Sequence, residues 1–221
     1  MDYRFPFMIR AAGINDWPSI SHISSVAGYD DYINKIGVSY LSTGMVIVYD
    51  DGKIKGFMKI EEMPDNTIWL SGIRVDPDHR NNGIASSLID YARKYGKKMR
   101  LIVEDNNYKS LNLVKKNKFS EVKKFLFVKG IPDVSGEEHY INDVCFLNYD
   151  WRFVFSGDLN YNEKYIKYKD SRIFRHGNAY QILELNDYIN FIDNGYTAID
   201  EDLFKNNYDI KIDSRFILFE S

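Results

Sequence analysis

The sequence predicts an α/β fold with a β-rich C-terminal appendage, and three observations carry that reading. First, residues 67–75 are apolar and rich in strand formers, while 86–95 place Leu88, Ile89, Ala92 and Tyr95 at helical spacing. Second, the apolar runs 45–50 and 54–61 flank Asp51-Gly52-Lys53, a strong hairpin signal. Third, residues 151–221 are dense in aromatics, among them Trp151, Phe153, Phe155, Tyr161, Tyr165, Tyr168, Phe174 and Tyr180, in short strand-like runs.

Taken along the chain, 14–26 reads as a helix with Asn15 as its cap and Pro18 in its first turn. A shorter helix follows at 29–41. The hairpin strands and the 67–75 strand come next, then the 86–95 helix and a strand at 99–104. Asn107 opens another helix. A strand at 121–129, a loop at 130–138 with Pro132 and Gly136, and a strand at 139–148 complete a first domain, 1–150. In the appendage, 151–155, 180–185 and 216–219 read as strands. Residues 187–194, stopped by Gly195, read as a short helix. No Pro- or Ser-rich linker separates the two parts at 150, so 151–221 is expected to pack on the first domain.

The stretch that speaks to chemistry is Ile73-Arg74-Val75-Asp76-Pro77-Asp78-His79-Arg80-Asn81-Asn82-Gly83-Ile84-Ala85. A strand, a glycine-bearing turn and a helix form a natural anion site. The first-turn amides of Asn81, Asn82, Gly83, Ile84, Ala85 and Ser86 have no helical acceptor, and the helix dipole favours negative charge. Gly83 permits either a backbone conformation or a close approach that a side chain would forbid. Neither G-x-x-x-x-G-K-[ST] nor G-x-G-x-x-G occurs, so this is not a Walker loop or a dinucleotide fingerprint.

Arg80-Asn81-Asn82-Gly83-Ile84-Ala85 resembles the R/Q-x-x-G-x-G/A turn of the GNAT acyltransferases. In register with the family's N-x-x-A-x-x-L-Y-x-x-x-G-F segment are Asn107, Leu113 and Phe119, with Ser110 at the small-residue position. Ile9-Arg10-Ala11-Ala12, Asp16 and Ile20 resemble its opening strand and first helix. The resemblance covers about residues 6–149. It implies a mixed, mostly antiparallel twisted sheet flanked by helices, closed by a hairpin of the 121–129 and 139–148 strands. Two parallel strands near 67–75 and 99–104 would part to admit acetyl-CoA. It also implies an acetyl-CoA-dependent N-acyltransferase that moves an acetyl group directly to an amine.

On that resemblance the amides of 81–86 take the pyrophosphate, and Ile73 and Val75 bond the pantetheine arm through their main chain. Arg80 either adds charge or is a surface arginine. Asn107 either caps its helix or touches the cofactor, with Ser110 one turn further on. Two departures matter. The family's acid tyrosine is Val114 here, and the glycine before Phe119 is Lys118. The strand position that often holds a catalytic glutamate is Trp69. Glu104, at the end of the 99–104 strand, is then the best candidate base, its alternative being a solvated strand-end acid. The competing reading is a catalytically idle acyl-CoA-binding or sensing module whose C-terminal segment is an interaction surface.

Composition limits the other classes. The 221 residues contain no run of about 18 apolar residues, so no membrane span is expected. Met1-Asp2-Tyr3-Arg4-Phe5-Pro6 lacks signal-peptide regions. One cysteine, Cys145, excludes an internal disulfide and a Cys-based zinc site and agrees with a cytoplasmic protein. The four scattered histidines suggest no metal. A net charge of −3 gives no support to nucleic-acid binding. Residues 131–150 hold five acids and no Lys or Arg. If the 130–138 loop borders the acceptor, they would favour a cationic amine, either a small molecule or a peptide. A homodimer stays open.

Overall fold

The computed structural model describes residues 8–28, 31–204 and 210–221. The reading of residues 1–6, the first residues of the GNAT resemblance and positions 29 and 30 of the expected 29–41 helix lie outside the described residues. Contacts divide the chain into two compact units. One runs up to Glu62 and includes Ile68–Met99; the other joins Met63–Thr67 to Arg100–Ser221.

The first unit runs β1 (Met8–Ala11), α1 (Trp17–Ser25), α2 (Tyr32–Ile36), β2 (Met45–Asp50), β3 (Ile54–Glu62), β4 (Ile68–Val75) and α3 (Ile84–Arg93). Its strands pair antiparallel in the order β1-β2-β3-β4. The Asp51-Gly52 turn joins β2 to β3 as expected, with the Gly52 amide donating to Asp50 Oδ1 at 3.0 Å. Ile20, Ile23, Ile33, Val46, Val48 and Phe57 form the core under α1 and α2. Full burial of each stabilises by about 1.5–3 kcal/mol.

Two local expectations are corrected. The entry to α1 is fixed by Asp16 instead of Asn15: the Asp16 carboxylate accepts from the Gly13 amide at 2.7 Å. Arg10 holds that carboxylate at 2.7 Å and the Asp50 carboxylate at 2.8 Å, tying β1 to both. The helix expected over 29–41 ends at Ile36, because Gly37 turns the chain at φ 74° into a 3-10 segment, Gly37–Ser42.

The second unit holds β5 (Met99–Glu104), α4 (Tyr108–Lys116), β6 (Ser120–Pro132), β7 (Glu137–Tyr140), β8 (Phe146–Asn148), β9 (Phe153–Phe155), β10 (Lys164–Tyr168), β11 (Ser171–His176), β12 (Ala179–Glu184), β13 (Phe191–Asp200) and β14 (Ile212–Glu220). Its main strands run β5-β14-β6-β13-β12-β11-β10-β7, and β8 pairs with β9. All these pairings are antiparallel except β12 with β13.

Here the expected closing hairpin is overturned. The 139–148 strand divides into β7 and β8, and β7 pairs with β10 at the edge. The partner of β6 on its β5 side is β14, from the far C-terminus: Phe216 faces Phe125 on one side and Glu104 on the other. Side-chain pattern explains the exchange. Leu218 and Phe219 are buried in succession, as a strand flanked on both edges and covered on both faces requires. Glu137, Glu138, His139 and Tyr140 are all exposed, which suits an edge.

The helix expected at 187–194 is also absent. Residues from Phe191 onward extend along β6 as β13, and Gly195, at φ 140°, sits in the register shift between Ile192 and Tyr196. Gly195 thus marks an irregularity in a strand pair and not a helix stop. Leu126, Val128, Ile173, Ile182, Ile189 and Ile199 build the core of this unit.

One buried polar cluster anchors β5. Arg100, 1% exposed, donates to Glu220 Oε2 at 2.7 Å and is ion-paired with Asp65. Asp65 also accepts from Thr67 Oγ1 and the Phe155 amide, each at 2.7 Å. The burial costs of guanidinium and carboxylates are met because each is both paired and hydrogen-bonded.

Candidate functional site

The candidate phosphate turn is built between β4 and α3. Asp76 ends the strand, and its amide donates to Lys55 O at 2.9 Å, which fastens the turn to β3. Its carboxylate accepts from the Asp78 amide at 2.9 Å and starts the single 3-10 turn Pro77–His79. Arg80 folds back: Nε donates to Val75 O and Nη2 to Ala27 O, both at 3.3 Å. This exposed arginine thus ties the turn to the end of β4 and to the segment after α1.

Gly83 then takes φ 79° and ψ 0° as the residue before α3, and Asn81 has φ 64°. A Cβ at Gly83 would meet nothing within 4 Å. Within the protein itself, the left-handed conformation calls for this glycine and packing against other residues does not. No side chain caps α3, and its first turn carries no acid. Among the described residues, no protein carbonyl accepts from the amides of Asn81, Asn82, Gly83, Ile84 or Ala85. Asn81, Asn82 and Gly83 are exposed, Ala85 and Ser86 half-buried, and Ile84 is buried as the anchor of the helix. The result is a row of donors at the positive end of a ten-residue helix.

Ile73 and Val75 lie in the half-buried C-terminal half of β4. There the strand carries one extra residue: Arg74 faces Phe57 and Ser71 faces Lys59, so Gly72 and Ile73 together oppose Met58. This β-bulge re-aims the main chain next to the turn.

The remaining predicted residues belong to the second unit. Glu104 ends β5, half-buried, with Asn106 Nδ2 donating to its Oε1 at 3.3 Å. Asn107 Oδ1 accepts from the Ser110 amide at 3.2 Å, so Asn107 is the cap of α4. Ser110 is half-buried one turn in. Val114, where the family acid would stand, is 2% exposed and part of the core, and Tyr108 is 73% exposed. No acid is available from α4 at that position.

The acids at 131–150 are placed differently from the expectation. Glu137 and Glu138 lie on β7, the edge strand, and Glu138 pairs with Lys164 at 3.2 Å. Asp143 receives two bonds from Arg172, at 2.8 and 3.0 Å, which hold its carboxyl below the usual carboxylate range. The bases come from β10 and β11, beyond residue 150, and counting charge along the sequence does not show such pairs. Cys145 is partly buried, and that burial pushes its thiol up, away from nucleophilic duty. Among the described residues no group of three or more His, Cys, Asp or Glu could hold a metal, and no helix is long and apolar enough to cross a membrane.

A mixed α/β fold with an unfilled row of amides after a bulged strand defines a class, and comparison with known proteins gives it a name. Residues 14–119 match the acetyltransferase (GNAT) family, and that segment is a GNAT acetyltransferase domain. A Thermoplasma acidophilum protein assigned as an acetyltransferase superposes with a TM-score of 0.65 at 18% identity, over 97% of this chain and 99% of its own. That likeness establishes a GNAT-like fold, and its coverage extends over the β-rich C-terminal segment. Two further structures align with about half of this chain. A GNAT acetyltransferase from Bacillus cereus has 27% identity and a TM-score of 0.48, covering 54% of this chain and 86% of its own. The PaiA N-acetyltransferase of T. acidophilum, solved with coenzyme A, has 18% identity and a TM-score of 0.46, covering 53% and 92%. No curated protein matches the sequence.

Proposed function

We propose that this protein is an acetyl-CoA-dependent N-acyltransferase that moves an acetyl group directly to an amine. The observation that carries the reading is the set of unbonded amides from Asn81 to Ala85, opened by the left-handed Gly83 at the head of α3. They would hold the pyrophosphate, together with Ser86, as fixed donors that need no lysine. The bulged end of β4 would carry the pantetheine arm on the main chain of Ile73 and Val75. Arg80, bound to two carbonyls, would keep the turn in shape while lending its charge.

Direct transfer needs an unprotonated amine, and Glu104 is the residue we assign to accept its proton. Asn107 and Ser110 would border the cofactor at the head of α4. Lys164 and Arg172 neutralise Glu138 and Asp143, so the field of the 131–150 segment is weaker than its sequence suggests. We therefore define the acceptor as an amine, on a small molecule or a peptide, and no more finely. Thiol release from acetyl-CoA against a panel of primary amines tests the reading. Acceptor-dependent release supports it, and CoA binding without any release would mark an idle CoA-binding module instead.

A further inference from the structure

The first unit contains a buried hydroxyl that its fold does not use. Tyr40 lies in the 3-10 segment after α2 and is 1% exposed. Its ring packs edge-on against Tyr32 and Phe57, each with centroids 6.4 Å apart. Among the described residues its hydroxyl makes no hydrogen bond of good geometry, although the Tyr32 phenol lies near enough to couple to it. A buried hydroxyl without a good partner is unfavourable, so a phenylalanine would fit this core better.

The hydroxyl points at one place. A Cβ built on Gly72 would lie 2.2 Å from Tyr40 Oη, and Gly72 itself has φ 59°. Only a glycine lets the phenol approach the backbone this closely. Gly72 is also the bulged residue of β4, next to Ile73. With the pyrophosphate at the head of α3 and the arm running back along Val75 to Ile73, the acyl thioester would reach the strand at Gly72. Each residue of strand covers about 3.3 Å, so Val75 to Gly72 spans about 10 Å.

We propose that the Tyr40 hydroxyl is a fixed hydrogen-bond donor to the acyl thioester, stabilising the negative charge that builds on its oxygen during amine attack. The step leaves Tyr40 unchanged. The amine lone pair forms the C–N bond, the electron pair of the broken C–S bond leaves on sulfur, and the amine proton passes to the base. The phenol is suited to donation alone. Burial pushes its pKa up, and although Arg74 opposes that shift, the proton stays on at every ordinary pH. The Lys59 ammonium sits over the face of the ring, 4.3 Å from its centroid. A donor set in place before the reaction, away from water, is the arrangement that best stabilises developing charge.

This inference rests on the acyltransferase reading, and Tyr40→Phe separates the two. Loss of one such donor lowers kcat by roughly 10²–10³-fold. We expect a fall of that order, with CoA affinity within twofold of the parent and a melting temperature equal or higher, since a buried hydroxyl without a good partner has been removed. A Tyr40→Phe protein with parental kcat would overturn the role of Tyr40 and leave the acyltransferase reading standing. A clear drop in melting temperature together with weaker CoA binding would also overturn it, because the hydroxyl would then be structural. A parent protein that binds no CoA would overturn both.

Discussion

The carboxylate of Asp31 grips Arg74 of β4 while it caps α2. Arg74 Nε donates to Asp31 Oδ2 at 2.7 Å and Nη2 to Oδ1 at 3.3 Å, and the Ile33 amide donates to the same Oδ1 at 3.1 Å. The Asp31 side chain is 2% exposed. One residue thus sets the start of α2 and pins the bulged strand between Ile73 and Val75. Removing one partner of a buried, hydrogen-bonded pair costs about 3–5 kcal/mol. Asp31→Ala should lose stability on that scale in urea unfolding, and a loss below about 1 kcal/mol would show that the pair is loosely held.

The Asp65 cluster makes acid stability testable. Burial alone would raise the Asp65 carboxyl, but bonds from Thr67, the Phe155 amide and Arg100 outweigh it and hold the pKa below its ordinary value. A depressed carboxyl contributes stability above its unfolded pKa, near 3.9, and loses it as the pH falls through the folded value. The stability gap between the parent and Asp65→Asn should be constant from pH 7 to about 5 and shrink below about 4. A gap that does not change down to pH 2 would contradict the assignment.

Removal of β14 should expose two strand edges at once, because it lies between β5 and β6. A chain ending before Ile212 is expected to aggregate, as is one ending at Asp150. Light scattering and thermal melting check this. A monomeric shortened chain with the parental melting temperature would show that β14 is dispensable.

The proposed role of Glu104 as base is tested against Tyr108, the tyrosine at the start of α4. Tyr108, 73% exposed at the first turn of α4, should be replaceable by phenylalanine with most activity kept. Glu104→Gln should lower kcat several-fold and leave a rate that rises with pH, because the amine must then lose its proton to solvent. A tenfold loss in Tyr108→Phe alone would reverse the two roles.

What the sequence made legible was local. The Asp51-Gly52 hairpin, the 67–75 strand, the helix after Gly83 and the cap at Asn107 are each specified by residues within a few positions of one another. What it hid was set by distant pairing. Nothing near Phe216 announces that it will face Phe125 and Glu104, and the 139–148 stretch reads as one strand pairing with 121–129, whereas its first residues belong to the exposed edge strand β7. Gly195 reads as a helix stop or a strand irregularity with equal ease, and only pairing with β6 decides. The turn ahead of α3 was legible because its backbone geometry is written in one glycine. The Arg100–Asp65–Glu220 cluster and the Tyr40–Gly72 approach join residues far apart in sequence, and no short spacing encodes them.

The central claim is that the amides ahead of α3 hold the pyrophosphate of coenzyme A. Isothermal titration of CoA into the parent and into Gly83→Glu tests it most directly, with thermal melts confirming that both are folded. Glutamate would place a negative charge where the phosphates sit, at an exposed position whose left-handed backbone it tolerates only with about 1–2 kcal/mol of strain. The account predicts saturable binding to the parent and at least a tenfold loss in the folded variant. Equal affinity in the two proteins, or no binding to the parent, would contradict it.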